Sequence, residues 1–162
     1  MTENELFSKV VAFATEKHMG QTRKDGTPYI NHPLAVAELL KKAGYGLTYQ
    51  MAAVLHDVLE DTDATEEEVR VFGEDVLEAV RLVTRPEGMD EEIYVSAILK
   101  NPIAKAVKNA DKIHNIQDLV NCGNREWAIY YAQKVKKYYS GKFSFELDQA
   151  IEEALYNVKV GE

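Results

Sequence analysis

Met51-Ala-Ala-Val-Leu-His56-Asp57-Val-Leu-Glu60-Asp61 sets an imidazole and three carboxylates into one short, otherwise apolar run. On a continuous helix, at about 100° per residue, His56, Asp57, Glu60 and Asp61 fall within an arc of roughly 140°, and the small Ala53 points into the same arc from one turn earlier. Leu55, Val58 and Leu59 project elsewhere and can anchor the segment in a core. The segment therefore has an oily side and an acidic side that is costly to bury without a cation. The adjacent His56-Asp57 pair offers one neutral nitrogen and one anionic oxygen to the same point, which suits a divalent metal of intermediate hardness such as manganese, iron or zinc. The same residues also fit a hydrogen-bonded core histidine beside a solvated acidic face. Other donors in the chain must separate the two readings.

Outward from this run, the pattern is helical and nowhere alternates with the period of a strand. Leu6, Val10, Phe13 and Ala14 recur at helical spacing over Glu3–Lys17. MGQTRKDGTPYIN, residues 19–31, has two glycines, a proline and a likely turn at Asp25-Gly26, so a long structured loop is expected, of the kind that carries function. Pro33 suits the first turn of a helix running to Gly44, which puts His32 at its entrance. A central helix is expected over Thr48–Leu59. Thr65 and Glu68 have capping-box spacing before a short helix closed by Phe72-Gly73, and Glu74–Thr84 presents Val76, Leu77, Val80 and Val83 on one side. Asp90 opens a helix through Lys100. Pro102 opens another through Val120, in which Ala104, Val107, Asp111, Asn115 and Asp118 share a stripe. Arg125–Tyr139 and Phe145–Tyr156 read as two further helices, rich in Tyr and Lys.

The 162 residues suffice for one domain with a substantial core and are few for two, so residues 1–162 are read as a single domain. A net charge of −8 argues against a nucleic-acid polymer as partner, while a small phosphorylated ligand stays open if local cations override the global field. The single cysteine, Cys122, excludes an internal disulfide and fits a reducing compartment. Acidic residues stand near the N-terminus where a signal peptide has basic ones, and no apolar run approaches a membrane span, so a cytoplasmic protein without membrane contact is expected. Oligomeric state is not legible.

Two protein donors hold a metal weakly, so the ion expected at His56 and Asp57 needs more. The chain offers His32 at a helix entrance and Asp111 on the apolar stripe shared with Ala104 and Val107. Two His and two Asp form a mixed shell with near-zero net charge around a divalent ion, with positions left for water and a substrate phosphate.

His18-x-Gly20-Gln21-x-Arg23-Lys24-x-Gly26-x-Pro28-Tyr29-Ile30-x-His32-Pro33, then His56-Asp57-x-x-Glu60-Asp61-Thr62, then Ala110-Asp111-Lys112-x-His114-Asn115 resembles the hydrolase domain of the RelA/SpoT family, which sits within the HD-domain metal-dependent phosphohydrolases. The resemblance spans roughly residues 5 to 120. It implies an all-α fold, a single HD-domain bundle of about eight helices. It also implies one metal, usually Mn²⁺ though other divalent ions fit, ligated by His32, His56, Asp57 and Asp111. Small stand-alone members remove the 3′-pyrophosphate of guanosine tetraphosphate and its pentaphosphate relative, so alarmone breakdown is the implied activity. Since the remaining residues are too few for a synthetase domain, degradation without synthesis is expected.

By the same resemblance, Glu60 and Asp61 are the catalytic acids, one turn beyond the ligands and able to move protons without occupying the metal. Arg23 would stack on the guanine, Lys24 face phosphate, Tyr29 wall the nucleotide and Asn115 hydrogen-bond the nucleoside. Two positions depart from the pattern. Lys112 stands where Arg is common, and Asp118 where a small hydroxyl residue is common; a second acid there would repel a polyphosphate unless it points away. These departures keep open another phosphorylated nucleotide as substrate, such as a nucleoside monophosphate or NADPH. A non-catalytic nucleotide sensor is a further alternative.

Overall fold

The computed structural model describes residues 1–160 and is all-α, with no strand among the described residues beyond an isolated bridge between Thr22 and Pro28. The elements are α1 Glu3–Lys17, α2 Asn31–Lys42, α3 Leu47–Leu55, α4 Val58–Asp61, α5 Glu66–Arg70, α6 Glu74–Val83, α7 Glu91–Leu99, α8 Pro102–Gln117, a 3-10 turn Asp118–Asn121, α9 Arg125–Tyr139 and α10 Phe145–Val160. Their ends follow local chemistry. Thr2, Asp90, Asn101 and Asn124 each accept a backbone N–H at a helix start, and Thr65 with Glu68 closes a reciprocal capping box.

α3 is the axis of the bundle. Met51, Ala52, Ala53, Val54 and Leu55 are all buried, so it is apolar around its circumference and is covered by α1, α2, α6 and α8. α2 and α8 pack on each other and on α3, bringing their polar residues to one point beside the end of α3. Burying a side chain such as Leu55 contributes about 2 kcal/mol, and the three-helix contact is built from many of them.

The central helix is not continuous. α3 stops at Leu55, His56 and Asp57 form a turn, and α4 restarts at Val58. The Ala53 carbonyl accepts both the His56 backbone N–H (3.3 Å) and its ring Nδ1 (2.6 Å), which draws it off the helical hydrogen-bond path. The four polar groups are thus gathered at a break between two helices, and not along one 140° arc. α8 ends at Gln117, three residues short of the expected Val120, because the chain tightens into the 3-10 turn.

Candidate metal centre

His32, His56, Asp57 and Asp111 come from α2, the α3–α4 break and α8, and the fold brings all four together. His32, His56 and Asp111 are buried and Asp57 nearly so. His32 Nε2 lies 2.8 Å and His56 Nε2 3.2 Å from Asp111 Oδ1, and His56 Nε2 is 3.0 Å from Asp57 Oδ2. Donors about 2.1 Å from one ion at right angles stand about 3 Å apart, so these edges match a shared cation. Ligand atoms of His32, His56 and Asp57 all fall within 4.8 Å of one another.

The ring orientations also fit. The Ala53 carbonyl can only accept, so His56 Nδ1 carries the proton, and the Nε2 of the neutral ring turns a lone pair toward two carboxylate oxygens. Lone pair against anion is repulsive unless positive charge lies between them. Burial opposes charge on His56, yet Asp57 and Asp111 raise its pKa well above the ordinary range. A divalent cation answers the same demand with both rings neutral. His32, by contrast, is lowered, chiefly by burial. Burial alone would raise Asp57, but the neighbouring His56 brings it down to about 2. Asp111 likewise lies well below the carboxylate range, with Lys108 and the two imidazoles overriding its burial.

Supports surround these four groups. His32 Nδ1 meets His114 Nδ1 at 2.7 Å, Tyr29 Oη donates to Asp57 Oδ2 at 2.5 Å, and Asn115 Nδ2 donates to Asp111 Oδ1 at 3.2 Å. Such outer partners fix the tautomer and aim of a ligand. Glu60 and Asp61 lie at the rim, open to solvent on one side, with carboxylate oxygens within 4.8 Å of one another and of Asp57. Glu60 Oε1 accepts the Arg85 backbone N–H at 3.0 Å. Partial burial, with Asp57 and Glu60 close by, pushes Asp61 up to about 6. The backbone carbonyl of Asp61 accepts Gln21 Nε2 at 2.7 Å, and Gln21 Oε1 faces His18 Nδ1 at 2.8 Å, tying the acidic turn to the loop before α2.

Beside the centre lies a cleft of about 260 Å³. Its lining includes Arg23, Lys24, Tyr29 and Asn115, all expected there, and also Asp118, Trp127 and Tyr131. Arg23 Nη2 donates to Asn115 Oδ1 (3.1 Å) and pairs with Asp118 Oδ2 (3.0 Å), while its guanidinium carbon is 5.9 Å from the centre of the Tyr29 ring. The Asp118 charge is therefore partnered by Arg23. Lys24 Nζ sits 4.2 Å above the Trp127 ring. Lys112 turns toward α9, donating to Tyr131 Oη at 3.2 Å, and burial lowers it to about 8.

Sequence alone gives no role to His114, Gln21, Lys108 or the tyrosines of α9. The signal for His114 and Lys108 was their spacing, three residues either side of Asp111 on α8. Trp127 and Tyr131 gave no signal, since only the packing of α9 brings them to the cleft.

An HD domain family model matches residues 10–141. A Danio rerio protein named guanosine-3′,5′-bis(diphosphate) 3′-pyrophosphohydrolase MESH1 is 40% identical over 141 residues, 81% of this chain and 77% of that protein. The Homo sapiens protein of the same name is 42% identical over 132 residues, 75% of this chain and 74% of its own length. A solved structure, described as a metazoan ortholog of SpoT that hydrolyzes ppGpp, superposes with a TM-score of 0.77 at 32% identity, covering 94% of both chains.

Proposed function

The chain belongs to the HD-domain family, and on that premise we propose that it is a metal-dependent hydrolase of the 3′-pyrophosphate of guanosine tetraphosphate and pentaphosphate, giving GDP or GTP and pyrophosphate. The observation that carries this reading is the convergence of two imidazoles and two carboxylates from three segments, with paired acids at the rim and a cation-bearing cleft alongside. The names of the relatives supply the substrate. Residues 1–162 act as one domain in this reading, in the cytoplasm, where the lone Cys122 stays reduced.

His32, His56, Asp57 and Asp111 would hold the ion; their mixed nitrogen and oxygen set accepts several divalent ions, and the family resemblance points to Mn²⁺ among them. When bound, a divalent ion there supplies Lewis acidity toward a phosphoryl oxygen and makes water a better nucleophile near neutral pH. Asp61, its pKa raised to about 6, would accept a proton from the attacking water or return one to the departing 3′ oxygen. Glu60, steered by the Arg85 backbone, shares that task. Arg23 exchanges Asp118 for the face of the guanine, Lys24 turns from Trp127 to phosphate, Tyr29 walls the nucleotide and Asn115 bonds the nucleoside.

The test is a nucleotide panel with the Mn²⁺-loaded protein, products separated by chromatography. Guanosine tetraphosphate should yield one GDP and one pyrophosphate per turnover, and chelation should stop it. Release of orthophosphate, or faster turnover of a nucleoside monophosphate or NADPH, would replace the substrate. Tight nucleotide binding without turnover under any divalent ion would make the protein a sensor.

A further inference from the structure

Lys108 is a largely buried ammonium with no part in the chemistry above. Its side chain is 12% exposed, and that of its partner Asp111 is 6% exposed. A buried charge persists only where partners hold it. On one side is Asp111 Oδ2, 3.5 Å from Lys108 Nζ, one turn along α8. On the other is the ring of the buried Tyr94, its centre 5.2 Å from Nζ, locked by a hydrogen bond from its hydroxyl to the Val83 carbonyl.

The two oxygens of Asp111 therefore face different surroundings. Oδ1 looks at both imidazole Nε2 atoms and accepts Asn115 Nδ2, while Oδ2 looks away, toward the ammonium. A carboxylate can give a cation one oxygen or both, and a donor on the far oxygen decides which. Resting on the metal-centre reading, we propose that Lys108 is a positioning residue that holds Asp111 to single-oxygen ligation and so keeps one position on the ion open for substrate.

Lys108→Met keeps the stem packing and removes the charge. Asp111 is then free to offer both oxygens, and one positive charge near the ion is gone. By calorimetric titration, K108M should bind one Mn²⁺ as tightly as the native protein or more tightly. Its kcat should nevertheless fall about tenfold to a hundredfold, with KM little changed. Lys108→Arg, which restores a cation at the same place, should recover most of the kcat. An unchanged kcat in K108M overturns the proposal, as does loss of Mn²⁺ as complete as in Asp111→Ala. If K108M does not fold, Lys108→Gln is read by the same two measurements. A native protein that binds no divalent ion overturns the metal centre itself, whereas a native-like K108M beside an active native protein overturns only the role of Lys108.

Discussion

The metal centre and the neighbouring cleft are built on opposite plans. In the centre each candidate ligand is held by a group outside the set of four: His56 by the Ala53 carbonyl, His32 by His114, Asp57 by Tyr29 and Asp111 by Asn115. In the cleft the cations are spoken for by partners they can leave, Arg23 by Asp118 and Lys24 by Trp127. The centre is rigid because an ion tolerates little error in donor position. Exchangeable contacts in the cleft suit the proposed nucleotide, which must enter and leave. The difference teaches that one wall of the site is made for precision and the other for turnover.

The harshest way to break the comparison is Asp57→Ala, which should abolish Mn²⁺ binding and hydrolysis together, measured by metal analysis and product release. Should the metal-free variant stay fully active, the centre plays no part in the chemistry. Glu60→Ala sits at the border of the two regions and should keep the metal while kcat drops about a hundredfold or more. Arg23→Ala acts in the cleft and reaches the centre only through Asn115, so metal affinity should change little while KM rises about tenfold, the scale of a partly desolvated cation–π contact. Asp118→Ser removes the partner that Arg23 must leave, and KM should fall by a few fold at unchanged kcat, as expected for a weak, partly exposed ion pair. Smallest for the site is Thr65→Ala, which removes the cap of α5. It should cost about 1 kcal/mol in denaturant unfolding without altering kinetics.

The same division explains what could be read in advance. His56 and Asp57 are neighbours in the chain, Asp111 sits on an apolar stripe, and His32 precedes a helix-opening proline, so local pattern was enough to nominate them. The α3–α4 break was hidden, because it depends on the His56 ring reaching the Ala53 carbonyl, and no Gly or Pro stands there to mark it. Lys24 with Trp127, and Lys112 with Tyr131, are pairs formed by the docking of α9, a long-range event with no period to betray it. Asp118 looked like a repulsive intruder until its tertiary partner Arg23 was in place.

The interruption at His56 and Asp57 gives its two flanking arms separate moorings. α3 is fixed by its apolar girdle, whereas the four-residue α4 roots only Val58, with Leu59 against it, in the core and is tied at its acidic end through Gln21 to the Asp61 carbonyl and through Arg85 to Glu60. A straight helix would have locked proton handling and ion seating into one register. With a joint between them, drift in the loops carrying Gln21 or Arg85 can re-aim the acids at a different ester while the seat of the ion stays as it was. On the proposed reading, such a scaffold can diversify what it cuts without relearning how to hold a metal.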